Sequence, residues 1–290
     1  MTVGQYEMAS MAKSRRQIVS DKLVLYGALL VISLFAFFPI YWMLVTSLTP
    51  AKEVFAFPPR LFPSSLTLDY YRDFFNKPEL IRFFRNSVLV SSVTAVGSII
   101  ISSYAAYSFS KFRYWGRKSL MFLVLSAQMF PQALLLIALY LMFDSLGLLN
   151  SYWAVILAFT TFTLPLCIWM LKSYFDGIPN DLIEAAKVDG ANQFQIIHRV
   201  LLPIAAPALV STGLFAFIRG WNDFIYALTL AGPEKMTLPP GLVLFYTGEF
   251  QTAWPNLMAA SLIVSLPIVV GFLIMQRYIV GGVTAGAVKG

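Results

Sequence analysis

Six apolar stretches, each near the ~20 residues a helix needs to cross the hydrocarbon of a bilayer, constrain this chain more than any other feature. They occupy residues 23–48, 87–109, 119–143, 152–171, 208–230 and 257–280. Lipid offers the backbone no hydrogen-bond partner, so only helices or a closed barrel can span it, and no run alternates apolar and polar residues as barrel strands do. The expected fold is therefore all-α: a polytopic membrane protein with six transmembrane helices. The first stretch is too long for the apolar region of a signal peptide and lacks a convincing small-residue cleavage site. Residues 1–22 read as a disordered tail, 23–280 as one membrane domain with external loops at 49–86 and 232–256, and 281–290 as a second tail. No tandem repeat, low-complexity segment or Pro/Gly/Ser linker divides the chain.

Composition excludes several functions. A chain that is 58% hydrophobic and 12% charged, with a mean hydropathy of +0.72, is an integral membrane protein rather than a soluble domain. The net charge of +7 does not indicate nucleic acid, because the basic residues lie beside apolar spans and set orientation. A lone Cys167 rules out an internal disulfide, and a lone His198 argues against a protein-built metal site. Both read as packing or surface residues. There is no G-x-x-x-x-G-K-[ST] phosphate loop, Gly116-Arg117-Lys118-Ser119 being the nearest approach, and no H-E-x-x-H, G-x-S-x-G or paired intramembrane carboxylates. The chain is expected to be neither an ATPase nor an intramembrane enzyme and to bind no cofactor of its own.

Short loops set the orientation. Lys111, Arg113, Arg117 and Lys118 crowd the second connection, the third (144–151) has no Lys or Arg, and the fifth has only Lys235. Short basic loops stay inside, so both termini are expected in the cytoplasm. The long first connection runs against the count with Lys52, Arg60, Arg72, Lys77, Arg82 and Arg85, though it also holds Glu53, Asp69, Asp73 and Glu79.

The fourth connection then lies inside, and it contains the longest polar passage of the back half, residues 175–207. Asp181 and Glu184 have capping-box spacing, as do Asn192 and Gln195, which predicts two short helices. Gly190 between them permits a left-handed cap and a reversal, and Pro203 is expected to bar continuation of the second helix. Leu182, Ala185 and Ala186 should share one face, and Phe194, Ile197 and Leu201 another, with Glu184, Lys187, Asp189 and Arg199 wet. A hairpin over 175–203 could simply rest on its own membrane helices.

The letters go further than the pattern. EAAKVDGANQFQIIHRVLLP resembles the EAA signature of permease subunits in ATP-binding-cassette importers: Glu184, Ala185, Ala186, Gly190, Leu202 and Pro203 stand at the matching places, with Val200 where isoleucine is usual. WNDFIYALTLAGP and the terminal GAVKG resemble the carbohydrate, maltose-type branch, and the likeness covers most of the chain from Leu23 onward. It implies a type I importer permease fold and ATPase coupling through Glu184, Ala185, Ala186, Asp189, Gly190, Phe194, Leu202 and Pro203. The implied partners are a second homologous permease, two ATPase subunits carrying ATP and magnesium, an external solute-binding protein and a carbohydrate, in a bacterial or archaeal cell membrane.

Other candidates divide between pathway and packing. Arg219 and Asp223 lie four apart, with Asn222 between. Intramembrane charges either pair to lock helices together or line a watery path, and the resemblance places Asn222 and Asp223 near the path. Gln128, three residues before Pro131, faces either the pore or a neighbouring helix. Phe245, Tyr246, Phe250 and Trp254 are expected to expose apolar surface in the loop 232–256, and the resemblance suggests Tyr246, Glu249, Phe250 and Gln251 as contacts for the binding protein. The glycine-rich tail 276–290 would allow a thin extended insertion toward the ATPases. The alternative to an importer subunit is a self-sufficient proton- or ion-coupled transporter that uses Arg219 and Asp223 as its relay.

Overall fold

A computed structural model describes the backbone of residues 15–248 and 252–287 and the side chains of 21–248 and 252–276. Helix follows helix: α1 (Arg15–Leu48), α2 (Asp69–Asn76), α3 (Pro78–Lys111), α4 (Arg117–Ser126), α5 (Gln132–Ser145), α6 (Tyr152–Asp176), α7 (Asp181–Val188), α8 (Gln193–Ile204), α9 (Ala206–Trp221), α10 (Ile225–Leu230), α11 (Leu238–Tyr246) and α12 (Trp254–Ala287). Among the described residues the one strand-like feature is an isolated bridge between Thr247 and Thr252. Four helices are long and apolar enough to cross a membrane, and two bent pairs raise the number to six. The expected all-α membrane architecture is the one observed.

The boundaries depart from expectation where local chemistry intervenes. α1 already begins at Arg15, so residues 15–22 are helical rather than disordered, because extending an existing helix costs far less than nucleating one. α12 likewise runs to Ala287 as helix, where a separate tail was expected from 281. The third span is two helices, α4 and α5, meeting at 98°. Pro131 has no amide to continue the ladder and drives Phe130 to an extended conformation (φ −72°, ψ 134°). The fifth span, expected as one helix over 208–230, stops at Trp221 and restarts as α10 at Ile225.

α3 is the central post, packed against both α6 and α9. Its buried face is built from small residues, Ser87, Ser91, Thr94, Ser98, Ser102 and Ala106. Lipid is as apolar as leucine, so helices in a bilayer gain by close backbone approach rather than by hiding leucine. Gly220 of α9 shows the fit: a Cβ there would lie 3.4 Å from Ser91 Cα and 3.3 Å from the Phe159 ring. Ser98 and Thr163 share a hydrogen bond of 2.8 Å between α3 and α6. α1 packs on α12, but among its described side chains the first buried one is Val45, and residues 21–40 are all exposed.

At the end of the bundle remote from the hairpin, Asn86 ties three segments together. Its Nδ2 donates to the carbonyls of Glu234 (3.1 Å) and Met236 (2.9 Å), and its Oδ1 accepts from the Tyr152 hydroxyl (2.9 Å). Ser87 Oγ accepts the Leu238 amide at 2.7 Å. A buried amide whose capacity is this fully used holds the 232–246 segment to α3 and α6.

Candidate functional site

The hairpin forms as two helices joined at Gly190, whose φ of +82° is left-handed. Gly190 N donates to Lys187 O (3.0 Å) and Ala191 N to Ala186 O (2.9 Å), the paired bonds of a Schellman cap. The second capping box is present: Asn192 Oδ1 accepts from Gln195 N (2.9 Å) and Gln195 Oε1 from Asn192 N (2.8 Å). The first is not. Asn180 is the N-cap of α7, in a helical conformation without a side-chain cap, so Asp181 and Glu184 stay on the surface. Pro203 does not end α8 either. A π-helical stretch over Ile196–Leu201 widens the ladder ahead of the proline, the Leu202 amide reaching back to Ile197 O, so the helix passes through Pro203. The chain turns only at Ala205, where α8 and α9 meet at 82°.

The faces sort differently from the expected set. Ile183, Ile196, Ile197 and Leu201 are buried, with Ala106 and Tyr107 of α3 and Leu171 and Phe175 of α6 in the same cluster. Ala186 and Leu202 are half-buried, whereas Glu184, Ala185, Asp189 and Pro203 are exposed. Leu182 and Phe194, expected on the inner face, are 44% and 62% exposed, and Val188 is 88% exposed. The period of α7 lets either Leu182 or Ile183 face inward, and only the neighbours α3 and α6 choose between them. The result is a hairpin with a packed inner face and an outer face of apolar side chains set among Glu184, Lys187 and Asp189.

Polar bonds reinforce the attachment. Tyr107 Oη donates to Gln193 Oε1 (2.5 Å), and Lys111 Nζ to Ile178 O (2.7 Å) and Asn180 Oδ1 (3.2 Å). Asp176 accepts from Ser110 (2.7 Å) and pairs with Lys172 (2.6 Å). His198 Nδ1 donates to Phe194 O (2.9 Å), leaving Nε2 to accept from Tyr104 Oη (3.2 Å). His198 is thus a surface residue in a packing role. None of these links was foreseen from sequence; tyrosines and lysine on the last turns of α3 were the available signal.

At the other end of α9 lies a cavity of about 460 Å³ lined by Arg219, Asn222, Asp223, Tyr226, Phe162 and Gln132 among others. It gathers three of the four pathway candidates. Arg219 and Asp223 do not face each other across one helical turn, because α9 ends between them. Asp223 Oδ1 instead accepts the amides of Tyr226 (3.0 Å) and Ala227 (3.2 Å) at the start of α10. Gln128, the fourth, donates from Nε2 to Phe162 O at 2.7 Å, the interhelical bond. Its acceptor lies three residues before Pro165, which interrupts the α6 ladder.

Of the external candidates, Glu249, Phe250 and Gln251 lie outside the described residues. Tyr246 was expected to expose its ring, but it is buried among Phe74, Leu80 and Trp221. Its hydroxyl reaches Asp73 at 3.5 Å, and burial, then that carboxylate, push its pKa above the usual phenol range. α2 covers it, an element the sequence pattern did not single out. Phe245 and Trp254 remain partly exposed. Cys167 is a buried free thiol, and the described residues contain no cluster of potential metal ligands.

Residues 98–284 match the model of the binding-protein-dependent transport system inner membrane component family. The chain is 37% identical over 284 residues to the inner membrane ABC transporter permease protein YcjP of Escherichia coli, covering 97% of this chain and all of that one. It is 36% identical to the trehalose/maltose transport system permease protein MalG of Thermococcus litoralis, over 95% and 99% of the two chains. In structure it resembles a chain of a bacterial ABC transporter involved in import of the acidic polysaccharide alginate, with a TM-score of 0.81, 24% identity, and coverage of 92% and 99%. With a family match over residues 98–284 and more than a third of its residues identical to such proteins over nearly its whole length, the chain belongs to the family of binding-protein-dependent transport system inner membrane components.

Proposed function

We propose that this chain is one of two permease subunits of an ATP-driven carbohydrate importer and that it binds no nucleotide, metal or cofactor itself. The observation that carries the reading is the hairpin: its inner face is locked to α3 and α6, while Leu182, Val188 and Phe194 are exposed on its outer face. Relatives named for trehalose and maltose, diacetylchitobiose and maltodextrin transport support a sugar as the substrate.

The hairpin end is cytoplasmic in this reading, with both termini on that side, as the basic loop 111–118 beside it supports. Two ATPase subunits bind ATP with magnesium, and one of them grips the outer face around Glu184, Ala185 and Phe194. Closure of the ATPases changes the contacts that this face makes and so favours one arrangement of the membrane helices. The fold supplies a path for the movement. α8 leads into α9 through the 82° corner at Ala205, and α9, about 24 Å long at 1.5 Å per residue, carries Arg219 and Asn222 at its far end. Those residues with Asp223 line this chain's share of the pathway. An external binding protein delivers sugar to the opposite end, where the external segment 232–256 receives it.

The test is uptake into proteoliposomes that contain both permeases, with and without the ATPase subunits and binding protein. ATP-dependent sugar uptake that disappears when the ATPases are left out is expected. Uptake by the permeases alone under a proton gradient would instead establish a self-sufficient transporter.

A further inference from the structure

Arg82 and Arg85 stand at the end of α3 remote from the hairpin, among the basic residues that run against the orientation rule. Arg82 is fixed by Glu234 at 2.6 Å, while its buried Nε has no acceptor. Lys235, next in the same turn, donates to Asn150 O (3.0 Å) and sits 5.8 Å from the centre of the Tyr152 ring. Arg85 is exposed, and among the described residues it has no hydrogen bond or ion pair. Counting Glu79, three residues before Arg82 on α3, three cations stand against two carboxylates, which leaves one positive charge in excess. Arg82, Arg85 and Tyr152 line a cavity of about 610 Å³ whose wall on the hairpin side is apolar, Val88 and Leu89.

That wall leads on. Arg85, Leu89, Ser92, Val96 and Ile99 follow at spacings of four and three, one face of α3. Ser92, Val96 and Ile99 line a second cavity, an apolar groove of about 460 Å³ between α3, α9 and α12. Gly271 helps keep it open, having only Leu214 Cδ1, at 3.8 Å, near the position a Cβ would take. From Arg85 to Ile99 the helix rises about 21 Å, enough to pass the ~15 Å of hydrocarbon in one leaflet.

We propose that the two cavities hold one phospholipid with an acidic headgroup, in the leaflet away from the hairpin. Its phosphate lies on Arg85 and Arg82, and one acyl chain runs past Leu89 into the groove. Guanidinium groups match phosphate oxygens in fork geometry, and basic pockets above apolar helix surface suit such lipids. A net-anionic headgroup answers the unbalanced charge, whereas a zwitterionic one would bring its own cation against Lys235. A soluble anion would leave the groove unused, and a helix of another subunit would leave the arginines without their counter-charge. The site does not depend on what the protein transports.

The test uses the assembled complex in nanodiscs of phosphatidylcholine containing one-fifth phosphatidylglycerol, with retained lipid counted by native mass spectrometry. The wild type should keep phosphatidylglycerol in preference to phosphatidylcholine. Arg85→Ala should hold it about tenfold more weakly, the loss of one charged hydrogen bond, with recovery in Arg85→Lys. Gly271→Leu, which fills the groove and leaves the arginines intact, should also lose it. Retention unchanged in both Arg85→Ala and Gly271→Leu, or no preference for the acidic lipid, would overturn the proposal. Displacement by soluble glycerol phosphate at millimolar concentration would reassign the pocket to a free anion. Loss of the second permease in Arg85→Ala with lipid retention unchanged would make the arginines a subunit contact.

Discussion

Replacing Gly190 isolates backbone conformation from packing. At φ +82° an added Cβ meets no atom within 4 Å, so Gly190→Ala has only the left-handed strain to bear, about 1–2 kcal/mol. If that strain falls on local opening of the hairpin, the open fraction should rise roughly 5- to 30-fold. Gly190→Asn should cost less, since asparagine reaches this region with help from its own side chain. Gly190→Pro should cost most: its ring holds φ near −65°, and it removes the amide that bonds Lys187 O. Hydrogen exchange at the Ala191 amide, bonded to Ala186 O at 2.9 Å, reads the opening directly. ATP-driven uptake should fall in the same order, with normal membrane insertion. Wild-type protection in Gly190→Ala, an inverted order of Ala and Asn, or full uptake by Gly190→Pro would each refute this account of the turn.

Three further substitutions separate roles that the fold brings close together. Phe194→Ala should weaken capture of the ATPase subunits by at least about 1 kcal/mol, roughly fivefold, in a co-purification titration, with only a small fall in melting temperature, because the ring is 62% exposed and gives up only its contact with the exposed His198 ring, 3.9 Å away. Asn86→Ala should destabilise by about 2–4 kcal/mol, since each buried partner left unsatisfied, Met236 O and the Tyr152 hydroxyl among them, costs about 1–3 kcal/mol; thermal unfolding with Tyr152→Phe as the milder companion checks it. Asp223→Asn keeps an acceptor for the Tyr226 and Ala227 amides but removes the charge, so assembly should persist while uptake falls. Equal uptake in Asp223→Asn and the wild type, with a defect only in Asp223→Ala, would reduce Asp223 to a cap worth about 0.5–2 kcal/mol.

Much of this molecule could be read without coordinates because membrane spans are local facts. A run of apolar residues of bilayer length favours helix wherever it sits, and a glycine between two short amphipathic segments favours a turn, so the helical class, the hairpin and the left-handed Gly190 followed from the residues in order. Asn192 and Gln195 capped as their spacing indicated, whereas Asp181 and Glu184, with the same spacing, did not. What needed the third dimension was every choice that depends on a neighbour. Ile183 rather than Leu182 faces inward because α3 and α6 lie on that side, and Tyr246 is buried among residues of the same cluster as Phe74 of α2. The break at 222–224, which separates Arg219 from Asp223, falls at the polar pair Asn222-Asp223, and only the packed structure shows that the helix stops there instead of carrying the pair through. Apolar periodicity says that a face will be hidden; only the packed partner says which one, and in a bundle held by small residues that partner is chosen by shape rather than by hydrophobicity.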